Sequence, residues 1–325
     1  MLGILPKGKL ARKEALWFYF FIAPFLIGFI IFRGGPILAS LGLSFTKYNV
    51  AKPPVWIGLE NYGSLIADRV FLKSLQVSAY YTLLSVPLGI VASLSLAILL
   101  NQKRLPVLGV FRTLYYVPAL VASSVAVALL FTWLLNPKFG IVNYLIARVV
   151  GPSGLIPLGL SGPRWFLDPY SAVPSYVLLS LWGFGGSMLI YLAGLQGVPT
   201  TLYEAATIDG ATAWGRFRYV TLPMISPIIL FTFITGVIGS FQIFTPAYVI
   251  SGTTQGGGEG SYGGPAYASM FYVLYLYLNA FRRYRFGYSA AQAWILFIVI
   301  LLLTIAALRA SREAVYYEAP GGQRI

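Results

Sequence analysis

Few side chains in this 325-residue chain could act as acids, bases or nucleophiles. There are nine carboxylates (Glu14, Glu60, Asp68, Asp168, Glu204, Asp209, Glu259, Glu313 and Glu318) and neither His nor Cys. Without His there is no His-liganded metal, no Ser-His-Asp triad and no imidazole proton relay. Without Cys there is no thiolate nucleophile, disulfide or Fe–S cluster. No G-x-x-x-x-G-K-[ST] occurs, so the chain does not itself hold ATP through a P-loop. What remains is reversible contact with a solute or a partner. Neutral hydroxyls and amides supply it within apolar sequence, among them Ser85, Ser93, Ser95, Ser123, Ser124, Ser180, Ser187, Thr232, Thr235, Ser240 and Gln242, interspersed with Gly183, Gly185, Gly186, Gly194, Gly236 and Gly239. Such groups serve close helix packing with local hydrogen bonds, or a path for an uncharged, hydroxyl-rich solute such as a sugar. The residues alone leave both readings open.

The elements that must position these groups are membrane helices. Apolar and aromatic residues make up 58% of the chain and charged residues only 10%, against about 25% charged in soluble domains. Mean hydropathy is +0.77. Neither a soluble globule nor a disordered chain fits these values. Runs free of Asp, Glu, Lys and Arg cover Ala15–Phe32, Ser74–Gln102, Thr113–Pro137, Pro169–Tyr203, Tyr219–Gly258, Gly260–Phe281 and Phe286–Leu308, each near or above the roughly 20 residues a spanning helix needs. The sixth run opens on the turn-rich Gly260-Ser261-Tyr262-Gly263-Gly264-Pro265. Its short remainder, Ala266–Phe281, is rich in Tyr and reads as an interfacial or external helix.

The expected fold is therefore all-α and polytopic. A segment 1–14 precedes a membrane domain over 15–312, and a tail follows over 313–325. Six spans fall at about 15–45, 74–101, 113–136, 171–198, 223–250 and 287–309, with a loop at 199–222 and an external helical loop at 251–286. The first span runs past Pro36 and carries Arg33 within it, as a snorkelling or interfacial cation. Lys7, Lys9, Arg12 and Lys13 ahead of it place the N-terminus in the cytoplasm, and six spans return the C-terminus there. Arg282, Arg283 and Arg285 then fall outside, against the charge rule. The net charge of +14 is read as topology and contact with anionic lipid, not nucleic acid. All nine carboxylates lie outside the spans, so the usual proton-coupling groups are missing and any uphill transport draws its energy from a partner.

One loop carries a denser pattern. In Thr201-Leu202-Tyr203-Glu204-Ala205-Ala206-Thr207-Ile208-Asp209-Gly210-Ala211-Thr212-Ala213-Trp214, Thr201-x-x-Glu204 has the spacing of a capping box that starts a helix. Ala205 and Ala206 extend it without bulk, and Gly210 suits a left-handed end. A second helical turn, Thr212–Tyr219, puts Trp214 and Phe217 on one side, and Pro223 opens the next span. The product is a compact helical pair along the membrane surface. It is shaped either to dock into a groove on a soluble partner or simply to lie at the interface.

This stretch resembles the E-A-A signature loop of permease subunits of binding-protein-dependent ABC importers, in its carbohydrate version. The match lies at Glu204, Ala205, Ala206, Asp209, Gly210, Ala211, Phe217, Thr221, Leu222 and Pro223. Gly58-Leu59-Glu60-Asn61-Tyr62, Phe111-Arg112-Thr113 with Pro118, Pro137-x-x-Gly140-x-x-Asn143, Trp165-x-x-Asp168-Pro169 and Leu192-Ala193-Gly194-Leu195-Gln196 extend it over most of the chain. The pieces are similar to the first permease subunit of maltose or glycerol-3-phosphate systems. The chain departs from the pattern at Ser251-Gly252-Thr253-Thr254-Gln255-Gly256-Gly257-Gly258-Glu259-Gly260, which replaces the usual T-x-G-G-P.

The resemblance implies a bacterial or archaeal cytoplasmic-membrane subunit with the six-span fold of type I importers. Its implied partners are a second permease chain, two ATP-binding cassette ATPases that hold the ATP and Mg, and an extracytoplasmic sugar-binding protein. Glu204, Ala205, Ala206, Asp209, Gly210, Ala211, Phe217 and Pro223 would couple to the ATPase. Leu179, Trp182, Gly183, Gly186, Gly236, Gly239, Ser240, Gln242 and Ile243 would line the solute path. A permease for glycerol-3-phosphate or another small polar solute, a secondary transporter, and a channel or scaffold are the alternatives.

Overall fold

A computed structural model describes residues 9–102, 108–120, 124–151, 162–254, 262–311 and 315. In chain order the helices are α1 (Lys9–Phe29), α2 (Gly35–Ser44), α3 (Glu60–Ala67), α4 (Arg69–Leu100), α5 (Leu108–Leu120), α6 (Ser124–Leu134), α7 (Ile141–Val150), α8 (Ala172–Ser180), α9 (Phe184–Gln196), α10 (Thr200–Ile208), α11 (Ala213–Arg216), α12 (Leu222–Met224), α13 (Ser226–Phe241), α14 (Thr245–Thr254), α15 (Tyr272–Tyr277) and α16 (Phe286–Ala310). The strands among the described residues are the two-residue β1 (Thr46–Lys47) and β2 (Val55–Trp56), paired antiparallel with Thr46 opposite Trp56. The architecture is all-α, as the composition requires. Five helical stretches are long and apolar enough to cross a membrane, and a sixth is counted if α5 and α6 form one span.

The backbone divides into two compact units, Met1–Leu65 with Asn279–Ile295, and Ile66–Leu278 with Leu296–Ile325. In the first unit, α1 and α2 join through a π-helical turn at Ile30–Gly34 that holds the exposed Arg33, just before Pro36. Trp17, Phe18, Phe20, Phe21 and Phe25 are all exposed on α1, as on a helix whose solvent is lipid. Asn61 fastens the following turn by donating Nδ2 to the carbonyls of Ser44 (2.8 Å) and Thr46 (2.9 Å). Near the start of α16, Arg283 Nη1 donates to Asn279 Oδ1 (3.0 Å), Asn279 Nδ2 donates to Gln292 Oε1 (3.2 Å), and the Arg285 guanidinium lies 4.1 Å from the Tyr288 ring centroid.

The second unit is organised on α4, which packs against α8, α9, α13 and α15. At 32 residues and about 1.5 Å per residue it is some 48 Å long, more than the roughly 30 Å hydrocarbon layer. It begins before the apolar run because Asp68 caps it, accepting from the backbone N–H groups of Val70 (2.9 Å) and Phe71 (3.4 Å). Helices α5 and α9 meet backbone to backbone. A Cβ on Gly185 would fall 2.0 Å from the Tyr115 carbonyl oxygen, so only glycine fits there.

Two runs read as continuous helix are interrupted. A 3₁₀ turn at Leu181–Gly183 separates α8 from α9, and Gln242, the C-cap of α13, opens a break before α14. The segment read as one helix over Ala266–Phe281 is instead a 3₁₀ turn at Pro265–Tyr267, the six-residue α15 and a π turn at Leu278–Arg282. The reason is packing. Phe271 stands edge-on to Tyr81 and Tyr176, and Tyr272 edge-on to Phe71, at centroid distances of 4.9 to 5.6 Å. Phe271, Tyr272 and Tyr275 are buried, so these aromatics fill protein, not a membrane interface. Of the departing stretch after the fifth run, Ser251–Thr254 complete α14, and Gln255–Gly260 lie outside the described residues.

Candidate functional site: a coupling loop and a neutral cleft

The loop at 199–222 is built on a firm floor. Leu94, Ala97 and Leu100 of α4 pack with Met188, Tyr191, Leu192 and Leu195 of α9 and with Ile225, and Tyr203 and Val220 pack against this cluster. From that floor α10 projects. It does not start with the capping box, because its N-cap is Pro199, with no side-chain cap, and Thr201 already lies inside the first turn. Pro199 ends the preceding chain and presets the helical entry one residue early.

The far end of α10 follows the sequence closely. Gly210 has φ +77°. Its N–H donates to the Thr207 carbonyl (3.1 Å), and that of Ala211 donates to the Ala206 carbonyl (2.9 Å). This is the paired 5→2 and 6→1 pattern of a Schellman end. Thr212 then caps α11 by accepting from Gly215 N (3.2 Å). The turn is tied internally by Arg216 Nη1 donating to Thr207 Oγ1 (2.9 Å) and by a hydroxyl pair between Tyr203 and Thr221 (3.0 Å). The chain continues through a π turn, Phe217–Thr221, into α12. Pro223 sits in α12, and Pro227 occupies the first turn of the long helix α13.

Glu204, Ala205, Asp209 and Gly210 are exposed, whereas Ala206, Ala211, Phe217 and Pro223 are half-buried. Beside them Ile208 is 87% exposed, Trp214 67% and Tyr219 75%. The Trp214 and Phe217 rings pack at 5.3 Å. An apolar patch on a backbone fixed at both ends, next to two free carboxylates, is a surface suited to a protein partner.

The second feature is a cleft of about 390 Å³ among α4, α8, α9 and α13. Leu179, Gly183, Gly236, Gly239, Ser240 and Ile243 line it. Trp182, Gly186 and Gln242 do not: Trp182 packs edge-on against Phe131 at 5.8 Å, Gly186 faces Ala119 of α5, and Gln242 is exposed at the helix break. The 3₁₀ turn rotates α9 relative to an unbroken helix, which redirects Trp182 and Gly186.

The path residues implied by the resemblance omit α4, whose Tyr81, Ser85, Gly89 and Ser93 form one wall; Ser85 and Ser93 stood only among the candidate hydroxyls. The four-residue spacing of these positions on one helix face was the available clue. Among the described residues, no charged side chain lines the cleft. Ser240 is tied to Thr82 (2.9 Å), Ser93 donates to the Phe184 carbonyl (3.1 Å), and the Tyr191 and Thr232 hydroxyls pair.

Fold and loop together define a polytopic helical transport subunit. The family model described as "binding-protein-dependent transport system inner membrane component" matches residues 85–313, and the chain belongs to that family. It is similar to the probable ABC transporter permease protein YesP of Bacillus subtilis (strain 168), 38% identical over 97% of this chain and 96% of that protein. It is also similar to the lactose transport system permease protein LacF of Rhizobium radiobacter, 34% identical over 91% and 94%. Its fold matches a chain of a bacterial alginate ABC transporter, solved in complex with an alginate pentasaccharide-bound periplasmic protein, at TM-score 0.76 and 22% identity over 94% and 98%.

Proposed function

We propose that this chain is one of two permease subunits of an ATP-driven sugar importer and forms half of its path. Sugar is delivered from outside by a binding protein, in keeping with the binding-protein dependence in the family's description and the lactose transport system of one relative. ATP and Mg are held by two partner ATPase subunits, and both termini of this chain face the cytoplasm. The observation that carries the reading is the exposed, internally locked loop from Thr200 to Thr221. Its backbone is fixed by the Gly210 turn and the Tyr203–Thr221 pair, so a push on Ile208 and Trp214 passes into α13 without being absorbed locally. Glu204, Ala205, Ala206, Asp209 and Gly210 form the contact. The exposed Ala205 permits close approach, and the carboxylates suit basic groups on the partner.

The test is purification from native membranes in mild detergent, followed by mass spectrometry of what stays bound. A second permease and ATP-binding cassette ATPases are expected. Recovery of this chain alone, with uptake surviving deletion of every such ATPase, would overturn the reading in favour of a secondary transporter or channel.

A further inference from the structure

The cleft holds a cluster of three hydroxyls. On α4, the Tyr81 phenol faces the hydroxyls of Ser85 and, across the cleft on α8, Ser180. All three residues line the cleft. Ser180 is anchored, donating to the Val177 carbonyl at 2.7 Å. Ser85 differs: the residue is 8% exposed, and its buried Oγ completes no hydrogen bond of full geometry, although the Tyr81 phenol lies near it. A buried hydroxyl left unpaired costs about 1–3 kcal/mol, and in a helix serine ordinarily escapes that cost by bonding back to the preceding turn. Space lies alongside, since a Cβ added at Gly89 or Gly183 would meet nothing within 4 Å.

We propose that Tyr81, Ser85 and Ser180 form a solute-contacting site in which Ser85 pairs with a hydroxyl of a neutral sugar ring. This rests on the importer reading of the previous subsection. Three neutral donor–acceptors near an aromatic edge match adjacent ring hydroxyls and the C–H surface between them. None of the described residues that line the cleft is charged, so they offer no counter-ion to a carboxylate or phosphate, which assigns the site to uncharged sugar units. It also places α4, not only α8 and α13, on the solute path.

The assembled transporter with its binding protein is reconstituted in liposomes. It is offered radiolabelled lactose, maltotriose, arabinotriose and an alginate trisaccharide, and KM is measured with whichever compounds wild type takes up. Ser85→Ala and Tyr81→Phe are each expected to raise KM for a neutral sugar roughly three- to tenfold, the factor one hydrogen bond supplies. Because Ser85 completes no internal hydrogen bond of full geometry, Ser85→Ala should leave the sugar-free Tm nearly unchanged or higher, whereas the Tm increase on adding saturating sugar should shrink. A purely structural serine would show the reverse: a lower Tm with unchanged KM. That result overturns the site, as does KM unchanged in both variants. Uptake of the alginate trisaccharide alone overturns the neutral class. Uptake of any of the four that proceeds without ATP overturns the importer reading, whatever the two variants do.

Discussion

Two short helical segments join spans in this chain, and they treat their aromatics in opposite ways. Between α9 and α13, the 199–222 loop holds Trp214 and Tyr219 outward, along with Ile208. Between α14 and α16, the 262–278 segment turns Phe271, Tyr272 and Tyr275 inward, where Tyr275 donates to Asp68 and the Tyr272 N–H donates to Ser78 Oγ at 2.9 Å. Burial also pushes the Tyr272 phenol up, so it stays neutral. Their backbones differ accordingly. The outward loop spends its positive φ on a glycine, whereas the inward one adds the exposed Ala266 (φ 52°) and Tyr267 (φ 56°) to its glycines Gly263 and Gly264 in the left-handed region, a strained conformation for a non-glycine residue. An aromatic segment held from within completes its own fold. One that is fixed yet bare leaves an apolar surface open.

The contrast can be broken most sharply at Gly210. Proline fixes φ near −65° and removes the N–H that closes the turn, so Gly210→Pro should abolish uptake while the protein still inserts. Transport assayed beside membrane fractionation decides this, and wild-type uptake would refute the coupling role. Next comes Phe271→Ala, for which a loss of about 3–5 kcal/mol is expected from vacating a packed aromatic site, read as a fall in detergent Tm. Trp214→Ser is the mirror experiment. It should leave Tm of the isolated chain nearly unchanged but weaken ATPase association by about 2 kcal/mol, roughly thirtyfold. If instead Tm drops and association holds, the outward patch is structural. The smallest effect is expected at Asp68→Ala, which loses a helix cap and the Tyr275 partner, about 1–2 kcal/mol by thermal unfolding.

How far the sequence revealed this depended on whether the deciding interaction was local. Gly210 was legible because a left-handed helix end is a property of one residue and its neighbours. The capping box was not, since Thr201-x-x-Glu204 has the right spacing but Pro199 starts the helix first. Six of the nine path residues meet in one cleft, because Gly236, Gly239, Ser240 and Ile243 follow helical spacing on α13 and its end. Trp182 failed because the 3₁₀ turn at Leu181–Gly183 has no marker in a run of apolar residues. The burial of Tyr272 and Tyr275 depends on α4, some 200 positions earlier, and no periodicity within Ala266–Phe281 could report it.

The contact at Gly185 carries a mechanical consequence. Where two helices touch through side chains, rotamer changes let them slide. Where a peptide oxygen of one occupies the space a Cβ of the other would need, no compliant layer lies between them. Sliding α9 along α5 by one residue would drive Phe184 or the neighbouring turn into that oxygen. The pair therefore behaves as one stiff strut, and any opening and closing of the cleft must bend the chain elsewhere, at the breaks before α9 and after α13.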